Sequence, residues 1–211
     1  MKTLKYLMGA LSVAMLASLV PNPAVATVSG SAHDLRAFTT DAANAELCVF
    51  CHTPHNAVVN SNEPPLWNRV EEVGVTITTF TLYTSPTLDN APGQPAGVSL
   101  GCLSCHDGVT ALDSLQNAPT IGLTTPGNSL VEQIPATTAA LGADLSNDHP
   151  VSMAYAGGAA ADWNDPPLNS LPLFSNNVEC ASCHNPHDTT NPKFLRFTMA
   201  GSQLCTSCHV K

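Results

Sequence analysis

Positive charge is scarce in this 211-residue chain: seven lysines and arginines stand against sixteen aspartates and glutamates, for a net charge of −9. Such a surface argues against nucleic acid as a partner, because neutralising phosphates takes many cationic side chains. Aromatic residues make up only 5%, and past the N-terminus no apolar run is long enough to span a bilayer. Pro, Gly, Ala, Thr and Asn fill long intervals such as 89–97 and 119–138. A chain of this composition is short of material for an ordinary hydrophobic core, and it reads as loop unless some other group supplies apolar surface.

The single apolar run, Tyr6 to Val20, follows Lys2 and Lys5 and precedes Pro21-Asn22-Pro23 and Ala24-Val25-Ala26. That is the layout of a secretory signal peptide, residues 1–26. Cleavage is expected after Ala26, leaving 27–211 as one domain with a net charge of −11 and no membrane span. No cysteine directly follows the apolar run, which argues against a lipid anchor.

All eight cysteines lie beyond this leader. In an exported chain a disulfide framework is the first reading to weigh, but the pattern fits it poorly. The cysteines occur only as C-x-x-C pairs, and a histidine follows each pair at once: Cys48/Cys51/His52, Cys102/Cys105/His106, Cys180/Cys183/His184 and Cys205/Cys208/His209. Zinc sites also use C-x-x-C pairs, yet zinc gives no reason for a histidine after every pair. Covalent haem attachment does. Two thiols one helical turn apart reach two vinyl-derived carbons on one porphyrin edge, and the next imidazole swings under the iron. Four haem c groups are therefore expected, and their flat apolar faces replace the missing core.

Eight histidines are present, and the four outside the motifs are His33, His55, His149 and His187. Only Met153 and Met199 lie beyond the leader, so methionine cannot supply four sixth ligands; bis-histidine ligation is expected at all four irons. His55 and His187 each end a C-x-x-C-H-x-P-H segment. The two axial nitrogens of one iron sit on opposite porphyrin faces, so each of these histidines should serve an iron other than that of its own motif. By chain distance His33 is a candidate for the first haem, His149 for the second or third, and His187 for the fourth, which leaves His55 without an obvious iron in the same chain.

The first and third motifs carry the extra histidine and the second and fourth are plain, so the chain reads as two two-haem modules, about 27–115 and 140–211. Regular structure should be sparse: a helix from Asp41 to Leu47 leading into the first motif, another over Gly201 to Leu204 before the last, and a strand within Val73 to Tyr83 that is a candidate for pairing across an interface. Glu63-Pro64-Pro65 and Asp165-Pro166-Pro167 are breakers. Asp144, Asn147 and Asp148 read as a solvated turn rather than a cation site. Trp67 and Trp163 read as packing against porphyrin, and no catalytic triad spacing is present, so no catalytic residue is assigned.

Ser-x-His-Asp-Leu (31–35), Cys-Val-Phe-Cys-His-Thr-Pro-His (48–55), Pro-Leu-Trp-Asn-Arg (65–69), Asp-His-Pro-Val (148–151), Cys-Ala-Ser-Cys-His-Asn-Pro-His (180–187) and Phe-Leu-Arg (194–196) together resemble the doubled-CXXCH multihaem cytochromes of metal-reducing bacteria. Within that group the haem count and size are similar to tetrahaem, filament-forming outer-surface cytochromes. The resemblance implies a mostly loop fold with few short helices, little strand and a core of four stacked haems. It implies a secreted, cell-surface or extracellular electron-transfer protein, not an enzyme. It further implies a homopolymer in which His55 ligates a haem of the neighbouring subunit, and exchange of electrons with other redox proteins and external acceptors. The alternatives are a monomeric periplasmic shuttle and a multihaem reductase of nitrite or hydroxylamine type, which needs one open iron.

Overall fold

The structure, a computed structural model, describes residues 26–38, 46–57, 64–69, 79–112, 114–117, 134, 139–155 and 162–210. Loop dominates, as the composition implies. Helix α1 spans Gly97–His106 and α2 is the single turn Cys180–Cys183. Four two-residue strands form two small sheets. β1 (Thr81–Leu82) pairs in parallel with β2 (Asp144–Leu145), and β3 (Met153–Ala154) pairs antiparallel with β4 (Asn177–Val178). Short 3-10 turns complete the regular structure, among them Leu35–Phe38, Pro192–Phe194, Ala200–Ser202 and Cys205–Ser207.

The expected elements fare unevenly. Residues 41–45 of the first expected helix and 73–78 of the expected strand lie outside the described residues. The described end of that strand, Thr81 and Leu82, pairs within the chain with Asp144 and Leu145. The expected helix before the last motif is only the 3-10 turn Ala200–Ser202, because Gly201 and Ser202 take left-handed φ values of 61° and 58° that no α-helix accepts. Helix α1 was not legible in advance. Its inward residues are Ser99, Gly101, Leu103 and Ser104, so no apolar stripe marks it.

The protein's own core is small. Phe80, Leu103 and Leu145 form one buried cluster, with Leu82 packed against it. The two halves are joined mainly by polar ties. The Glu179 carboxyl, 5% exposed, accepts hydrogen bonds from the Ser99 hydroxyl of α1 and from Ser152 Oγ at 3.0 Å. The same Ser99 oxygen accepts from the Cys180 amide at 3.0 Å. Glu179 also caps α2 reciprocally with Ser182. One residue in α1 thus holds the second motif against the third.

Gly101 lets the first site approach α1. A Cβ at this position would lie 2.9 Å from Cδ and Cγ of Pro64 and 3.5 Å from the Trp67 ring. Alanine gains about 1 kcal/mol in helix propensity but overpacks against a rigid proline ring at a cost of about 1–3 kcal/mol. Gly101→Ala is expected to lower stability by about 1 kcal/mol, read as an earlier urea midpoint of the haem-loaded chain. An unchanged or later midpoint contradicts this packing.

Candidate haem sites

Each attachment motif is one turn of helix. The amide of His52 bonds the Cys48 carbonyl at 2.8 Å, that of His184 bonds Cys180 at 3.0 Å, and that of His209 bonds Cys205 at 3.0 Å. The second motif closes α1. All eight cysteines are free thiols. This turn sets two sulfurs on one side and presents the imidazole just beyond them.

Three of the four turns are then strapped by the same device. His52 bridges Trp67, His184 bridges Leu195 and His209 bridges Trp163. In each case the residue after the histidine donates to the carbonyl before the bridge partner: Thr53 to Leu66 at 2.9 Å, Asn185 to Phe194 at 2.7 Å and Val210 to Asp162 at 2.8 Å. The residue after the bridge partner donates back to the motif's second cysteine: Asn68 to Cys51, Arg196 to Cys183 and Asn164 to Cys208, at 2.8–2.9 Å. Leu66 and Phe194 occupy the same strap position and share a left-handed φ of 57°. The side chains differ, but the backbone repeats.

The straps orient the rings. Nδ1 of His52 donates to the Pro65 carbonyl at 2.8 Å, and Nδ1 of His184 to the Lys193 carbonyl at 2.8 Å. His106 uses Ala139 at 2.8 Å and His149 uses Pro150 at 2.9 Å. Committing Nδ1–H to a carbonyl fixes the tautomer and leaves the Nε2 lone pair for a metal. Trp67 lies edge-on to His52 at 6.0 Å, and Trp163 tilts over His209 at 4.3 Å while its Nε1–H bonds Asp89. The two tryptophans thus brace the motif histidines.

An iron between two imidazoles lies about 2 Å from each nitrogen, so the ring centres stand roughly 6 Å apart. Three histidine pairs meet this spacing: His52 with His187 at 5.9 Å, His106 with His33 at 6.1 Å and His209 with His149 at 6.4 Å. Burial comes first among the causes that lower the proton affinity of His33, His187 and His209, and the facing histidine comes next in each case. All three are biased toward the neutral form that a ligand must take. His33 also stacks on Phe194 at 4.3 Å, and its buried Nδ1 has no hydrogen bond. The nearby Pro186 carbonyl acts against the other influences on this ring.

These partners differ from those expected by chain distance. His33 faces the second motif rather than the first, His187 the first rather than the fourth, and His149 the fourth rather than the second or third. Spatial closeness decides the pairing, across the halves for His52 and His187 and within one half for the other two pairs, and sequence separation does not report it. His187 is held by the N-terminal segment: the Thr27 amide donates to its carbonyl at 2.8 Å, and the Thr189 amide donates to Thr27 Oγ1 at 2.9 Å. Two histidines remain. Among the described residues no ring faces His184 or His55. His184, Cys180 and Cys183 line an apolar cavity of about 200 Å³ with Leu82, Leu103 and Leu145, and His149 lines it too.

The motif thiols adjoin in series. Burial and then Cys105 push Cys51 up to about 12. Cys102 shares its proton with Cys180, which raises Cys102 and brings Cys180 down to about 7. Burial and then Cys208 push Cys183 up to about 11. The first motif therefore lies beside the second, the second beside the third and the third beside the fourth. The donor set fits haem: paired thiols, oriented imidazoles and facing rings at the spacing of a macrocycle. Asp144, by contrast, is held by Ser146 of its own turn, through the hydroxyl and the amide, and among the described residues no three His, Cys, Asp or Glu gather as a metal cage.

Residues 173–211 match the family model of the doubled CXXCH motif. No curated protein matches the chain. The doubled motif is consistent with a multihaem c-type cytochrome; it indicates covalently bound haem c and an electron-transfer role.

Asn68 is the strap residue most exposed to test. It is fully buried, its Nδ2 donates to the carbonyls of Val49 at 2.6 Å and Asn117 at 2.9 Å, and its Oδ1 accepts from the Asn117 amide at 2.8 Å. Asn68→Ala strands three half-buried backbone groups and is expected to cost about 2–4 kcal/mol. Thermal unfolding of the haem-loaded protein reads the loss, and a cost under about 0.5 kcal/mol contradicts the strap.

Proposed function

We propose that the chain binds four haem c groups, each between two histidines, and passes electrons along them as the subunit of an extracellular filament. The observation that carries this reading is the division of the eight histidines. Six stand in facing pairs, and the two left over are one motif histidine, His184, and one spare, His55. A spare imidazole and an iron site lacking its second ring complement each other, but not within one chain. Head-to-tail contact, in which His55 of one subunit completes the site of His184 in the next, satisfies both and repeats without closing. The resemblance to tetrahaem filament cytochromes supports the same joint.

Six-coordinate irons leave no position for a substrate, and ligation without methionine favours low potentials suited to electron export. The protein's part is ligation, spacing and exclusion of solvent. Cys48, Cys102, Cys180 and Cys205, with Cys51, Cys105, Cys183 and Cys208, carry the thioethers. The leader would send the chain across the inner membrane before haem attachment, and other redox proteins would load the filament.

The lack of a ring opposite His184 also favours a second reading. A chain that stays monomeric keeps an open coordination position above the cavity at His184, as a reductase of a small oxyanion requires. Electron microscopy and size-exclusion of the haem-loaded protein separate the two readings. Long regular polymers are expected from wild type, and His55→Ala should abolish them while three low-spin haems remain. Polymers that persist in His55→Ala refute the joint.

A further inference from the structure

Arg69 follows the strap of the first site and is 2% exposed. Its Nη1 donates to the Leu112 carbonyl at 2.7 Å, and its Nη2 donates to the carbonyls of Ser104 at 2.8 Å and Ala111 at 2.7 Å. Nε is buried without a hydrogen bond. Among the described residues no carboxylate pairs with it; the ion pair present is that of Arg36 with Asp34. The nearest buried acid, Asp107, is taken up by its own loop, accepting from the amides of Val109 and Thr110 and from Thr110 Oγ1. Among the described residues the guanidinium is thus held by neutral backbone dipoles.

Its location gives that charge a use. Ser104, which it grips, precedes Cys105 of the second motif, and Asn68, its chain neighbour, bonds the Cys51 carbonyl of the first. We propose that Arg69 is a potential-setting residue: a buried cation, held by backbone carbonyls beside both motifs, that raises the reduction potentials of the haems bound at the first and second sites. The proposal rests on the four-haem reading above.

The sign follows from charge. Reduction removes one positive charge from the iron, so a nearby cation stabilises the ferrous form. Burial matters because a surface arginine would be screened by salt, whereas this one is not.

A structural tie of three carbonyls is the competing role, and the two separate cleanly. Spectroelectrochemical titration of the full haem-loaded chain is the measurement. In Arg69→Gln one redox step, or two, should fall by about tenfold in its one-electron equilibrium constant, 59 mV, while the others move less than threefold. Arg69→Lys, which keeps the charge, should stay within threefold of wild type at every step. The proposal is overturned if Arg69→Gln carries its full haem complement with every step in place, or if Arg69→Lys shifts as far as Arg69→Gln. Should Arg69→Gln fail to mature, Ala111→Asp sets a carboxylate beside the intact fork and must lower the same step; no shift there overturns the proposal equally. A wild-type chain with no redox-active haem bands rejects the four-haem reading instead.

Discussion

The bond from a motif histidine's Nδ1 to a backbone carbonyl is the contact on which the rest of this structure turns. Two thiols and one imidazole within five residues must all address a single flat ligand, and an imidazole free to rotate offers either nitrogen. The carbonyls of Pro65 and Lys193, carried on straps that return to the second cysteine of each motif, remove that freedom at His52 and His184. His106 obtains the same result from Ala139, outside the strap pattern. The backbone repeats in all three straps while the side chains repeat in two: Trp67-Asn68 and Trp163-Asn164 stand opposite His52 and His209, and Leu195-Arg196 stands opposite His184.

From this constraint follows the interlocked layout of the chain. The ring facing His52 comes from His187, and the ring facing His106 comes from His33, which itself stacks on Phe194. The first site thus takes its facing ring from the other half of the chain, while the second and fourth take theirs from their own halves. The polar junction of Ser99, Ser152 and Glu179, the clamp of Thr27 on the His187 segment and the small cluster of Phe80, Leu103 and Leu145 align the early segments with the late ones. Bound macrocycles would add the apolar surface that Phe80, Leu103 and Leu145 alone do not provide.

The attachment residues were legible at once, since a motif of covalent chemistry is local and its spacing is written in five residues. The loop-rich character was legible too, from the shortage of aromatics and the wealth of Pro and Gly. Axial partners were not, because a facing pair such as His52 and His187 depends on how distant segments meet, and nearness in sequence misassigned it. Helix α1 escaped because it buries serine and glycine, and the straps escaped because Pro65-Leu66-Trp67-Asn68 and Lys193-Phe194-Leu195-Arg196 match in backbone and share no residue. Arg69 escaped as well: a lone arginine after a tryptophan and an asparagine carries no signal until its burial is known.

The account stands or falls on the coordination of the iron at His184. Electron paramagnetic resonance of the ferric protein, recorded on polymers and again on dissociated monomers, reads it directly. Polymers should show low-spin centres alone, and each released monomer should gain one high-spin centre as His184 loses its partner's ring. Four low-spin centres in the isolated monomer, or a high-spin centre that persists in the polymer, would contradict it.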